Sequence, residues 1–504
     1  MSAASGHFIV TDHLPALIVV TPLVAAGISA LLRNGLAAWF LSLLVAWLLP
    51  VLAVLLVFKV QAEGVVSYHI GGWAPPIGIE YRVDIVSAFV VFVIAAVGAI
   101  VMPYALRSVE NSIDEPQRPW FYTVYLLALA GLLGMTVTGD AFNVFVFMEI
   151  SSLATYVLIA LGRDRRALIA AYQYLIMGTI GATFYVIGIG FLYMVTGTLN
   201  IADLATRIGP AFAESPPPVM AAFAFLLVGI SLKLALFPMH VWLPNAYAFA
   251  PTFATIFLAA TATKVAVYIL LRIYFSVFGV AISLTSLPVT EMLLGLSLAA
   301  MFVASVIAVY ENNIERMLAY SSVAQIGYIT LGIAIANQSG VTGALVHIIN
   351  HAAMKAALFA AIGAVVYRIG TARLNELGGI GHKMPLTMAA FVIAGLGLVG
   401  VPGTAGFISK WYLGVGAIEH GWWPVAFLIV ASSLIAVLYV GRVVEAAYFR
   451  PVSDKCKAAS DPPVSMLITI FAFTALTIYI GIDTTWSAQL AEAAAKVLLG
   501  GLAQ

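Results

Sequence analysis

Four lysines and a glutamate sit where charge is expensive. Lys233, Lys264, Lys355 and Lys410 each fall inside a long apolar segment, and Glu149 falls in another. A charged side chain at the centre of a bilayer costs about 2.5–3.5 kcal/mol on insertion scales. Five such groups in one chain require a wet, polar interior, and groups of this kind serve the movement of protons or small cations. His347, His351 and Lys355 occur together in VHIINHAAMKAALF. Their i, i+4, i+8 spacing places them on one helix face, with Asn350 close by. Imidazoles exchange protons near neutral pH, so a polar stripe of this type suits proton hopping. A packed hydrogen-bonding stripe between helices is the alternative. Two histidines without a nearby carboxylate are a weak metal signal, and no metal is expected.

The remaining charges lie beside sequence signals for broken helices. Lys233 precedes Pro238 in SLKLALFPMHVWLP, and Lys410 follows Pro402 and Gly403 in GLGLVGVPGTAGFISK. Proline removes a helix hydrogen bond and clashes with the preceding turn. A lysine beside freed carbonyls can exchange its proton there, whereas a lysine near a span end can simply snorkel to the interface. Glu149 lies near the middle of FNVFVFMEISSLATY, with Lys233 as its natural partner. That pair would either lock two helices or open and close as part of a relay. Lys264, in AATATKVAVYILL, could link the Lys233 region to His351. His240 follows the Pro238 break and would either join the path or cap freed carbonyls.

These groups must be positioned by membrane helices. The chain has 504 residues, 63% hydrophobic and 9% charged, against roughly 25% charged in soluble domains. It is therefore expected to be an all-α polytopic membrane protein. About fourteen spans are predicted, at 15–32, 37–58, 84–106, 119–138, 141–161, 168–196, 219–249, 252–278, 290–310, 315–336, 341–367, 385–417, 422–448 and 463–488. The fourth and fifth are divided only by Thr138-Gly139-Asp140. Spans seven and twelve are the interrupted ones, and irregular backbone at membrane depth survives only where protein buries it or water fills a cavity. Being five apart, they cross in opposite directions, which suggests inverted repeats with broken helices. The organisation read from this is residues 1–118 as helices one to three with a periplasmic hairpin, 119–278 as the first inverted five-helix repeat, 290–448 as the second, and 463–504 as helix fourteen with a tail. The hairpin is expected in VVSYHIGGWAPPIGIEYRVD.

The distribution of basic residues, clearest in Gly162-Arg163-Asp164-Arg165-Arg166, puts both termini outside an inner (cytoplasmic) cell membrane. A net charge of +1 gives no basic patch for nucleic acid. The single cysteine, Cys456, excludes a disulfide framework and a cysteine-ligated cluster within the chain. The N-terminal MSAASGHFIVTDH has no basic n-region, so the first apolar segment reads as a span. Trp242, Trp411, Trp422 and Trp423 read as packing or interface anchors. No nucleotide loop or nucleophile elbow occurs, and no cofactor is expected.

Taken in order and spacing, FNVFVFMEISSLATY, SLKLALFPMHVWLP, HIINHAAMKAALF and VPGTAGFISKWYL resemble the antiporter-like subunit family. Its members include the large membrane subunits of respiratory complex I and of Mrp-type multisubunit cation/proton antiporters. The resemblance covers residues 80–490. It implies that Glu149 pairs with Lys233, that Lys264 is the central lysine, that His347, His351 and Lys355 form the polar stripe, and that Lys410 ends it. It also implies half-channels at the broken helices. The stretch WLPNAYAFAP carries Asn245 and Tyr247 where several complex I relatives have an acid and a histidine, which is more similar to the D-type subunit of Mrp antiporters. The chain ends at Gln504, without the long lateral helix of the longest complex I subunit.

The expected function is therefore that of a proton-translocating subunit of a monovalent cation/proton antiporter. Its partners would be other membrane subunits, protons, monovalent cations such as Na⁺, and lipids. One alternative is a proton-pumping subunit of a complex I-like NADH:quinone oxidoreductase or membrane-bound hydrogenase. Another is a scaffold whose buried charges only fix helix packing. No catalysis is expected in this chain.

Overall fold

The computed structural model describes residues 10–280, 282–283 and 288–500. The start of the N-terminal stretch and the end of the C-terminal tail lie outside the described residues. The structure is an assembly of helices with one small hairpin. The first three long helices are α1 (Leu14–Leu31), α2 (Gly35–Glu63) and α3 (Ile85–Ser112). Between α2 and α3, β1 (Val66–His69) pairs antiparallel with β2 (Glu80–Val83), as the Gly-Gly and Pro-Pro turn signals predict.

Next come α4 (Arg118–Val137), α5 (Ala141–Ala160) and α6 (Arg165–Thr196). The short Thr138-Gly139-Asp140 turn does separate two helices. Asp140 caps α5, its carboxylate accepting the Asn143 N–H at 2.7 Å. After the amphipathic α7 (Ile201–Glu214), the seventh crossing is built from α8 (Pro216–Leu234) and α9 (Leu243–Phe249), and α10 (Thr252–Leu271) follows.

The ninth crossing is α11 (Val289–Ala299) and α12 (Ser305–Tyr310), joined through a π-helical turn at Ala300–Ala304. Beyond it lie α13 (Ile314–Ile335) and α14 (Gln338–Ile369). A short α15 (Ile380–Lys383) leads into the twelfth crossing, α16 (Pro385–Val399) and α17 (Ala405–Glu419). The chain closes with α18 (Trp423–Phe449), α19 (Val464–Ile482) and α20 (Thr485–Gly500).

Among the described residues, 13 helical segments are long and apolar enough to cross a membrane. The one expected crossing not among them is the twelfth, the α16–α17 pair, whose two halves of 15 residues are each too short to span alone. Two helices were not anticipated. The loop after α6 contains α7, and the tail after α19 forms α20, which packs on α3 and α14. Both carry shorter or weaker apolar runs than a span, so hydropathy alone passes over them.

Helix α14 is the axis of the molecule. It packs against α10, α13, α16, α17, α19 and α20, and every residue from Gly340 to Val365 is buried. Its polar face is therefore enclosed by protein on all sides. At the hairpin end, Asp84 caps α3 and holds Arg272 from the end of α10, with Arg272 Nη1 2.7 Å from the carboxylate.

Candidate functional site

Both broken crossings end their first half in the same way. At the end of α8, Ala235 adopts a left-handed conformation (φ +59°), and the Leu236 N–H bonds the Ser231 carbonyl at 3.0 Å. At the end of α16, Gly400 is left-handed (φ +89°), and the Val401 N–H bonds the Leu396 carbonyl at 3.1 Å. This six-to-one closure is a Schellman cap. Glycine adopts it without strain, while a non-glycine residue there costs roughly 1–2 kcal/mol. Pro238, Pro402 and the left-handed Gly403 then keep the chain from resuming the helix at once. Pro244 sits in the first turn of α9, where its missing N–H is harmless.

The first break positions Lys233. It lies in the last turn of α8 and points at α5, where its ammonium donates to Ser152 Oγ at 2.7 Å and stands 3.5 Å from Glu149. The expected pair is thus adjacent in space, but it is loose. Lys233 does not take up the carbonyls freed at the break. Trp242 does so instead, its indole N–H donating to the Leu232 carbonyl at 2.9 Å while its ring stacks on Tyr174 at 3.9 Å. A cavity of about 30 Å³ lies between α5, α8 and α10 beside Lys233, Ser151, Ser152 and Thr155. That is the space of about one water molecule.

Lys264 is fully buried on α10, between the α8 and α14 packing surfaces. Its ammonium bonds the Ala259 carbonyl of its own helix and lies 3.4 Å from Thr263 Oγ1. It makes no direct bond to Lys233 or to Lys355.

The α14 stripe is assembled as its spacing predicts. Lys355 donates to the Leu318 carbonyl at 2.7 Å and to Ser321 Oγ, both on α13. The His351 and His347 rings stack with centroids 5.9 Å apart. His347 bonds Ser409 through Nδ1 at 2.6 Å and Gln325 through Nε2 at 2.9 Å. Both ring nitrogens of His351 are buried without a hydrogen-bond partner. Asn350 faces another way, donating to the Ala405 carbonyl at the start of α17 at 2.6 Å.

Lys410 reaches back across the second break. Its ammonium donates to the carbonyls of Leu398 and Val399 at 3.0 and 2.8 Å and to Ser433 at 2.9 Å. It also lies 4.8 Å from the Tyr328 ring centre. Gly400 is required twice here, for its φ and because a Cβ would lie 2.9 Å from the lysine stem. A cavity of about 390 Å³ opens beside Lys410, Trp411 and Ser433.

His240 stands apart from this row. It lies in the first break, stacked on Phe237 and edge-on to Tyr320, with Nδ1 buried and unpartnered. The residues that sequence reasoning missed are the neutral ones. Ser152, Ser321, Gln325, Tyr328, Ser409 and Ser433 supply most of the side-chain contacts. Ser152 had a signal, since it lies three residues from Glu149 on the same helix.

Physically, the site is a row of protonatable groups carried by α5, α8, α10, α14 and α17. Among the described residues, Lys233 alone of the four buried lysines has a carboxylate neighbour. The other three ammonium groups are held by carbonyl and hydroxyl oxygens, so no fixed counter-charge pins their protons.

Residues 138–436 match the model of the NADH:quinone oxidoreductase/Mrp antiporter transmembrane family. NADH-quinone oxidoreductase subunit N of Desulforudis audaxviator is 40% identical over 94% of this chain and 96% of its own. The D-type subunit of the Na⁺/H⁺ antiporter of Bacillus subtilis is 28% identical over 95% and 97%. Among solved structures, a chain of the Mrp complex from Dietzia sp. superposes with a TM-score of 0.88 at 26% identity, covering 98% of both chains. A chain of an archaeal membrane-bound sulfane sulfur reductase gives 0.87 at 30% identity, covering 97% of this chain and 98% of that one. The matched residues include both broken crossings up to Ser433 and the whole buried row, and on this ground the chain belongs to the NADH:quinone oxidoreductase/Mrp antiporter transmembrane family.

Proposed function

We propose that this chain is a proton-translocating membrane subunit of a multisubunit monovalent cation/proton antiporter. The observation that carries the reading is the row from the half-buried Glu149 to Lys410, whose buried lysines are held chiefly by neutral oxygens. A proton taken up at Glu149–Lys233 would pass to Lys264 and then to Lys355, His351 and His347, and Lys410 would end the path. Charge arriving at one site changes the proton affinity of the next, which couples the steps electrostatically. Waters would close the gaps on either side of Lys264, and the cavity beside Lys233 has room for one of them. His240 would serve uptake at the first break.

The whole-length likeness to Mrp subunits supports the antiporter setting, with other membrane subunits as partners. The common Schellman cap and the position of each break, fourth of five crossings, support reading 119–278 and 290–448 as inverted repeats. Basic residues at the α5–α6 and α14–α16 turns support a cytoplasmic face there, with both termini outside an inner cell membrane.

A second reading is a redox-driven pump subunit, and 40% identity to an NADH-quinone oxidoreductase subunit favours it. Inverted membrane vesicles separate the two. With the antiporter, added Na⁺ or K⁺ collapses an imposed pH gradient in the wild-type complex and not in Lys233→Ala at equal complex levels. A redox substrate that builds a gradient while no cation has any effect would establish the pump instead.

A further inference from the structure

We infer that Glu315 is the carboxylate through which protons reach Lys355 from a polar pocket at the arginine-bearing end of the bundle. The inference rests on the proton-relay reading above and adds a second point of uptake, distant from Lys233 and Glu149.

The pocket measures about 290 Å³ and lies among the turn after α5, the start of α10, the start of α13 and the turn after α14. Its charged lining groups are Arg163, Asp164, Arg166, Glu315 and Arg373. Most of these charges are already engaged. Arg163 pairs with Asp114 at 2.9 Å, and Arg166 with Asp164 at 2.6 Å. Glu315 is half-buried and, among the described residues, makes no hydrogen bond or ion pair. The cation acting on it is Arg166, through space.

Its position relative to Lys355 is the second observation. Glu315 lies in the first turn of α13, and Leu318, three residues on, gives the carbonyl that holds the Lys355 ammonium at 2.7 Å. Three residues of helix rise about 4.5 Å. Tyr104 lies beside α14 near the pocket, its hydroxyl donating to the Ala360 carbonyl at 3.0 Å. That hydroxyl and the pocket-lining Thr252 both crowd Gly363, so Tyr104 abuts the pocket wall. A first-turn acid also steadies a helix dipole. That role needs neither an open pocket nor a buried lysine one turn away.

The test uses the assembled complex in inverted vesicles, with variants compared at equal complex levels. Glu315→Gln is expected to slow proton transport by about tenfold or more, while Glu315→Asp keeps most of the rate. Glu315→Cys, made in a Cys456→Ser background, is then alkylated. Iodoacetate restores a carboxylate at this position and should restore transport, whereas iodoacetamide adds a neutral group of similar size and should not. Wild-type transport by Glu315→Gln, or equal restoration by both reagents, overturns the inference. Should Glu315→Gln fail to assemble, the alkylated cysteine variant carries the test. If Lys233→Ala is inactive while Glu315→Gln is normal, only this inference falls. If Lys233→Ala also transports normally, the relay reading falls with it.

Discussion

Lys233 stands 3.5 Å from Glu149 and only 2.7 Å from the Ser152 hydroxyl. The ammonium is thus hydrogen-bonded to a neutral group and merely near its carboxylate, because 3.5 Å is at the limit of a hydrogen bond. Glu149 Oε1 has no hydrogen-bond partner. A pair this loose can separate without first losing a strong bond.

Lys233→Ala and Glu149→Ala should each abolish coupled proton transport without preventing folding. Removing one partner of a tight buried pair costs about 3–5 kcal/mol. The looseness here predicts a smaller loss, visible as a modest fall in unfolding temperature at unchanged complex levels. A scaffold role predicts the reverse, with poor assembly and normal transport per assembled complex.

The two histidines of α14 should respond differently to phenylalanine. His351 has no hydrogen bond to lose, so His351→Phe should change stability by less than about 1 kcal/mol while cutting transport at least tenfold. His347→Phe strands Ser409 and Gln325 and should cost about 1–3 kcal/mol as well as transport. Thermal unfolding and vesicle assays on the same preparations check both.

The second break depends on close backbone approach. A Cβ on Gly406 would lie 1.9 Å from the Gly397 carbonyl oxygen, whereas one on Gly414 meets nothing within 4 Å. Gly406→Ala should cost about 1–3 kcal/mol by overpacking and pull Lys410 from the Leu398 and Val399 carbonyls, reducing transport. Gly414→Ala, on the same helix, should be neutral or stabilise by up to about 1 kcal/mol.

At the hairpin end, burial raises the proton affinity of Asp84, but the Arg272 guanidinium and the Ser87 hydrogen bonds outweigh it and hold the carboxyl below its usual range. A depressed carboxyl stabilises the fold above its unfolded value, about 3.9, and that contribution is lost as pH falls further toward the folded value. The wild-type unfolding temperature should therefore drop below about pH 4, with a shallower drop in Asp84→Asn. A parallel pH series on the two proteins measures the difference.

Much of this molecule is written in local pattern. Apolar runs of span length place the crossings, and Pro238 and Pro402 mark the two that break, because a missing N–H and a ring clash act within a single turn. The i, i+4, i+8 spacing puts His347, His351 and Lys355 on one face whatever surrounds them. Even the Thr138-Gly139-Asp140 turn is legible, since a capping aspartate acts three residues ahead.

Which groups meet was decided by packing between segments far apart in the chain. Ser152 at Lys233, Gln325 and Ser409 at His347, and Ser433 at Lys410 are ordinary small polar residues in sequence. They become ligands only when α6 holds α8 beside α5, α14 packs on α13 and α17, and α17 packs on α18. The left-handed Ala235 could not be anticipated either, because alanine carries no local preference for that conformation and the surrounding fold must impose it. Periodicity and proline chemistry act over a few residues, so the crossings, the breaks and the polar face can be read along the chain. Hydrogen bonds between helices depend on their relative placement, so it takes the packed helices to show that Lys233 rests on a hydroxyl and Lys410 on the carbonyls of its own broken crossing.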